Sequence, residues 1–329
     1  MDTPSGNTGG PSTPAGVLED SQQPTSRREG PSSPTRTKSA HRGGAAPWLI
    51  PLLVLVTLFY LYPAVQVLRF SFTDASLLRQ SFTYGIDSYT RVLTDPTFFH
   101  VLWITLVFVL ASIFFQLALG LMIALAVQRG GQNNLLGTGF FRTLVLSSWV
   151  MPGIVIGIVW QIVLNSASYG MINSILGTVG IASVGFLSRP TIALWSVILA
   201  NVWRGTAFSM ILLYAGLQSI DPVLYEAGEI DGASGRQAFW RITLPSLRPV
   251  LLINLVLISI QTFNTFDMVL ALTGGGPGRA TEVLALRTYN VIFDGFSLGE
   301  GSVLAVIMLL LSLTFTLIYV RFLSAEERL

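Results

Sequence analysis

The chain has 329 residues, 51% hydrophobic and only 11% charged, with no cysteine and a formal net charge of +2. Soluble domains carry about 25% charged residues, so this composition argues for a membrane protein and against a water-soluble enzyme. Without cysteine a disulfide scaffold, a thiolate zinc site and a cysteine nucleophile are excluded, and the two histidines, His41 and His100, exclude a multi-histidine metal centre. The mild basicity comes from 18 arginines and the single Lys38. It reads as a topology signal, with no nucleic-acid partner.

Residues 1–46 are dominated by Pro, Gly, Ser, Thr and charge. They cannot bury enough apolar surface to offset their ordering entropy, so they are expected to be a disordered tail. The first apolar stretch comes too late and runs too long for a cleavable signal peptide. Arg27, Arg28, Arg36, Lys38 and Arg42 precede it and favour a cytoplasmic amino terminus. The tail is expected to be a solvated, topology-setting extension.

Six apolar stretches follow, near 47–68, 101–127, 140–164, 191–217, 249–271 and 303–321. Each approaches or exceeds the ~20 residues needed to cross a hydrocarbon layer about 30 Å thick. The expected fold is therefore an all-α membrane protein of six transmembrane helices, residues 47–325, with both termini cytoplasmic and a short tail at 326–329. Arginine placement agrees. The tail and the segments 128–142, 218–248 and 321–329 hold 12 basic residues, against 6 in the longer opposite segments. Pro152 is expected to kink the third span. Gly153 and Gly157 there form a GxxxG close-packing face. His100 reads as an interfacial residue.

The segment 218–248 is neither short nor simply polar. Asp221 followed by Pro222 reads as an N-cap and first helical residue. Val223, Ala227 and Ile230 recur at helical spacing. Gly232 interrupts this helix, and Ser234 with Gln237 forms a capping box opening a second one. Ala238, Phe239 and Ile242 supply its stripe, and Pro245 is expected to end it before the next span starts near Pro249. Helices this short are marginal alone, so the apolar stripes need something to pack against, in this protein or in a partner.

These residues carry a resemblance. Glu226-Ala227-Gly228, then Gly232, Ile242 and Leu244-Pro245 at the motif's spacing resemble the EAA loop of permease subunits in binding-protein-dependent ABC importers. Trp203, Phe208, Ala215-Gly216-Leu217 and Ile220 before the loop are similar to the sugar-importing branch, of maltose and glycerol-phosphate permease type. So are Tyr169-Gly170 with Asn173, and Thr273-Gly274-Gly275-Gly276-Pro277 with Thr281. Gly228 departs from the family's alanine, at about 1 kcal/mol of helix propensity. The resemblance implies a type I permease fold with a coupling-helix loop, in a bacterial cell membrane. It implies that Glu226, Ala227, Gly228, Asp231, Gly232, Ile242, Leu244 and Pro245 couple to a separate ATP-binding subunit. The glycine run at 274–277 is implied to face the substrate-binding protein. No G-x-x-x-x-G-K-[ST] phosphate loop occurs in the chain, so ATP is expected on the partner and no cofactor here.

Ionisable groups at membrane depth are functional candidates. Arg204 lies mid-span with Asn201 one turn away. Asn254, Gln261, Asn264 and Asp267 share an arc of about 140° if the fifth span is one helix. Phe263 and Phe266 lie among them, and aromatics beside amides suit a sugar. Arg204, Gln261, Asn264 and Asp267 are thus candidates for the translocation path. Interhelical packing, or an Arg204–Asp267 ion pair, is the competing reading.

The expected protein is a non-enzymatic permease subunit carrying a sugar or sugar-like solute. Its expected partners are a second permease subunit, two ATP-binding subunits, an extracytoplasmic binding protein and membrane lipid. The alternative is an ion-coupled secondary transporter. That class shows paired carboxylates or broken helices around an ion site and an internal repeat. Asp267 is the only carboxylate within the six spans, and no repeat is visible.

Overall fold

The computed structural model describes residues 46–133, 135–167 and 170–324. The expectations for the amino-terminal tail, for residues 326–329 and for Tyr169 lie outside the described residues. The described residues divide into two units, with the boundary between Leu52 and Leu53.

Among the described residues the protein is all-α. α1 (Ala46–Val56) runs through a π turn (Thr57–Leu61) into α2 (Tyr62–Ser71), and Leu49–Ser71 is long and apolar enough to cross a membrane. α3 (Asp87–Thr94) precedes α4 (Pro96–Gln132). Asp95 caps α4, its carboxylate accepting from the Thr97 N–H at 2.8 Å, with Pro96 at the first helical position. α5 (Thr138–Val150) and α6 (Gly153–Val163) are two halves of one stretch, bent by 105°. The bend falls where expected but is far sharper than a kink. Met151 precedes proline and is extended (φ −71°, ψ 135°), which removes it from the helix altogether.

α7 (Met171–Thr178) is short, α8 (Pro190–Gln218) is long and apolar enough to cross a membrane, and α9 (Pro222–Ile230) forms the loop helix. α10 (Gly235–Ala238), a π turn (Phe239–Thr243) and α11 (Leu244–Phe263) then follow without a break. Two expectations are corrected here. Pro245 does not end the second loop helix, which continues as the span itself. In the π turn Leu244 N–H reaches back five residues to the Phe239 carbonyl. That wider turn relieves the clash an α turn would direct at the following proline ring.

The second correction is at the far end. The fifth span does not run to 271. α11 ends at Phe263, and α12 (Asp267–Thr273) is a separate half-helix. Asp267 therefore does not share a helix with Asn254, Gln261 and Asn264, and the single arc does not exist. α13 (Leu284–Phe293) and α14 (Leu298–Ser324) complete the order. Among the described residues five helices can cross a membrane by length and composition, or six if the bent pair is one span.

The core is organised around α4 and α8. Gln116 Nε2 donates to the Asn201 carbonyl at 3.3 Å and Gln128 Nε2 to that of Leu217 at 3.5 Å, so the two helices run parallel. Small residues let them close. A Cβ on Gly120 would lie 2.5 Å from the Ser209 Cβ, and one on Gly205 would overlap Gln116. Phe108, Ile113, Ile198, Ile258, Phe263 and Met268 fill the middle of the bundle. Ala124, Met210, Leu213 and Leu247 fill the end that carries α9.

Candidate functional site

The loop helix is braced on one side and bare on the other. Asp221 accepts from the Val223 N–H at 2.9 Å, fixing where α9 starts. At its far end Gly232 adopts φ +73°, a left-handed turn that suits glycine. The Ser234 N–H then donates to Gln237 Oε1 at 2.7 Å and the Gln237 N–H returns to Ser234 Oγ at 3.4 Å, the expected capping box. On the inner side Tyr225 and Thr243 share a hydroxyl–hydroxyl bond of 2.9 Å.

Gly228 faces Ile242. A Cβ at 228 would lie 2.9 Å from Ile242 Cδ1, so the glycine lets α9 lie against the π turn. Leu244 and Pro245 are half-buried at the start of α11, while Glu226, Ala227, Asp231 and Gly232 are exposed. On the outer side Val223, Leu224 and Ile230 are 60%, 48% and 87% exposed. The structure thus gathers all eight residues of the motif into one surface element. The Tyr225–Thr243 brace escaped the sequence, since nothing in the spacing pairs those two hydroxyls.

Arg204, Gln261, Asn264 and Asp267 come together. All four line one polar cavity of about 350 Å³, together with Gln116, Trp149 and Asn201. Gln116 was missed, although it is the only amide in its apolar stretch and the reasoning on membrane-depth amides that picked out Gln261 applies to it equally. Trp149 was missed because its place depends on the bend after α5. Among the described residues the ion pairs are Arg91–Glu300, Arg279–Glu282, Arg287–Asp95 and Arg287–Glu282. Arg204 and Asp267 belong to none of them. The Arg204–Asp267 ion pair is absent.

The two breaks explain how the cavity is walled. Asn264 Nδ2 donates to the Ile260 carbonyl at 2.7 Å and Thr265 Oγ1 to that of Gln261 at 2.9 Å, closing the end of α11 with local side chains. α12 then starts with Asp267 and lies against α6. A Cβ on Gly153 would fall inside the Asp267 carboxylate, and one on Gly157 would sit 2.6 Å from the Ala271 Cβ. The GxxxG face is therefore a seat for α12. Asn254 does not reach the cavity. It is fully buried, and neither amide atom has a partner.

The aromatic expectation is corrected. Phe263 is buried with its ring 5.3 Å from Phe315, and Phe266 stacks on Tyr289 at 5.4 Å. Neither lines the cavity, whose aromatic wall is Trp149.

Asn173 and the Thr273–Thr281 motif hold loops at the opposite end of the bundle, while Leu217 and Ile220 pack at the end that carries α9. Asn173 is buried, donating to the Asn165 and Val184 carbonyls and accepting from the Val184 N–H. Thr281 bonds Thr273 Oγ1 at 2.7 Å and the Gly276 carbonyl at 2.8 Å, closing the glycine turn. Behind that turn Arg287 spans Asp95 and Glu282. The Asp95 carboxyl is held below its ordinary range. Burial pushes it up, but the Thr97 hydrogen bonds and Arg287 outweigh that. His100 is exposed.

Residues 116–327 match the family described as binding-protein-dependent transport system inner membrane component. A trehalose/maltose transport system permease protein of Thermococcus litoralis is 36% identical over 274 residues, covering 83% of this chain and 91% of its own. An sn-glycerol-3-phosphate transport system permease protein of Brucella abortus is 33% identical over 277 residues, covering 83% and 92%. The backbone is similar to a crystal structure of a bacterial ABC transporter involved in import of the acidic polysaccharide alginate. That match has a TM-score of 0.72 and 21% identity, covering 85% of this chain and 94% of the other. The chain belongs to the inner membrane components of binding-protein-dependent transport systems and is a membrane-spanning permease subunit of an ABC transporter.

Proposed function

We propose that this subunit imports a sugar or sugar-like solute, with α9 and the α10 end of the following helix as the coupling surface for an ATP-binding subunit. The observation that carries the reading is α9 itself. It is capped at both ends, anchored from behind through Tyr225 and Gly228, and bare over Val223, Leu224 and Ile230. A braced helix with an apolar outer face fits a groove on a soluble partner. Curated relatives named for trehalose/maltose and for glycerol phosphate support the solute class.

In this reading the loop is cytoplasmic, as are both termini, and the glycine turn at 274–278 faces an extracytoplasmic binding protein. A second permease subunit completes the path, and two ATP-binding subunits hold the nucleotide. ATP-driven closure of those subunits moves 221–245 and opens the path outward; the chain itself performs no covalent chemistry and holds no cofactor. The broken helices around Asp267 are a feature shared with secondary transporters, but family membership and the loop weigh for ATP coupling.

The test is an affinity pull-down in mild detergent with ATP hydrolysis as readout, comparing wild type with a Glu226→Ala, Gly232→Pro double variant. An ATPase should accompany wild type and be lost from the variant while its helical content is kept. Wild type that recovers no ATPase yet moves solute in liposomes would overturn the coupling role.

A further inference from the structure

The polar cavity has a charge arrangement that speaks to which solutes pass. Its charged lining residues are one guanidinium, Arg204, and one carboxylate, Asp267; the other polar groups are amides and threonine hydroxyls. The two charges cancel formally, yet among the described residues they are paired neither with each other nor with any other residue. We propose that Arg204 and Asp267, held apart, make this path selective for uncharged polyhydroxylated solutes and against anions such as sugar or glycerol phosphates. This rests on the permease reading above and narrows its solute class.

Asp267 is held by the fold. Its carboxylate occupies the space where any side chain at Gly153 would stand, over the first residue of α6. Close packing of Gly157 on Ala271 and on the Met268 carbonyl fixes α12 against α6, which keeps the carboxylate on that side of the cavity. Arg204 is carried by α8, whose neighbouring Gly205 is pressed against Gln116.

A neutral polyol satisfies both charges at once. One hydroxyl oxygen accepts from the guanidinium while another hydroxyl donates to the carboxylate, and amides such as Gln261 and Asn264 take either role. A phosphate gains from Arg204 but meets the like charge of Asp267 on the wall of the same cavity.

The chain's lack of cysteine supplies the experiment. Asn264→Cys places one thiol on the cavity wall of the assembled transporter in nanodiscs, with the complex lacking that substitution as background. The thiol is reacted with neutral, anionic and cationic methanethiosulfonates, each rate normalised to a free thiol. Asp267→Asn should raise the anionic-to-neutral ratio by about tenfold, and Arg204→Gln should lower it by about as much. Opposite signs from two neutralising changes are an outcome that a merely structural role for either residue does not produce. Millimolar maltose should slow modification while sn-glycerol 3-phosphate does not, and Asp267→Asn should let the phosphate protect.

An unchanged ratio in either variant, protection by the phosphate with Asp267 intact, or protection by neither solute would overturn the proposal. All rates are read on complexes that retain their ATP-binding subunit. Failure to retain it bears on the permease reading instead.

Discussion

The loop helix and the cavity are finished in opposite ways. Around α9 the capping and bracing groups are bonded, through Asp221, Tyr225 and the Ser234–Gln237 box, and Val223, Leu224 and Ile230 are left bare. Around the cavity the apolar groups are packed, and Arg204 and Asp267 are left without partners. Each region leaves unsatisfied the kind of group that a visiting molecule would complete. In the proposed function that visitor is an apolar groove for α9, and for the cavity a molecule rich in hydroxyls.

The contrast has a sharp consequence for glycines. Gly205 stands at the cavity wall with Gln116 against it, whereas Gly228 stands behind α9 with only the tip of Ile242 near. Gly205→Val should destabilise the purified complex by about 1–3 kcal/mol through overpacking and abolish uptake. Gly228→Ala should be nearly silent, because about 1 kcal/mol of helix propensity offsets a small shift of one flexible methyl. Thermal unfolding followed by helical signal reads both. Equal costs would mean that the two regions are packed alike.

A smaller effect tests whether an unpartnered polar group is always functional. Asn254 is fully buried with both amide atoms unpaired, yet lies away from the cavity. Asn254→Leu should leave uptake intact and change stability by no more than about 1 kcal/mol, in the stabilising direction, since no hydrogen bond is lost. A large loss of transport would place Asn254 in the working machinery.

The smallest expected effect lies at the opposite end of the bundle. Asp95 caps α4 and meets Arg287, and its carboxyl is held below the ordinary value. A depressed carboxylate stabilises the fold above its unfolded pKa of about 3.9, and that stability is lost as pH falls through the lower folded value. Asp95→Ala should therefore cost about 0.5–2 kcal/mol at pH 7 and progressively less below about pH 4. A cost independent of pH would remove the carboxylate's charge from the account.

What could be read in advance followed the range of the signal. The caps of α9 and α10 are contacts between residues two or three apart, and the sequence displays such spacing directly. The bend at Met151–Pro152 was marked by a proline. The break at Asn264–Phe266 was invisible because Thr-Phe-Asn-Thr-Phe-Asp contains neither glycine nor proline, and it is closed by Asn264 and Thr265 bonding their own turn. Pro245 misled in the other direction, since a π turn accommodates it. The four path candidates nonetheless share one cavity, although the reasoning that grouped them on one helix face was wrong. Chemistry selected them, and two helix breaks brought them together. Gln116 needed only the same chemical rule applied to the second span.

From Gly235 to Phe263 the chain runs as one helix of 29 residues. At 1.5 Å per residue its length is about 43 Å, joining the capping box at the loop to the closed helix end at Asn264. A shaft of that length is a lever. Pivoted near the loop, a tilt of about 5° sweeps Asn264 through about 4 Å, more than the length of a hydrogen bond. Small movements at the loop end of this helix would therefore become large ones at the cavity wall, with no relay of side chains between them.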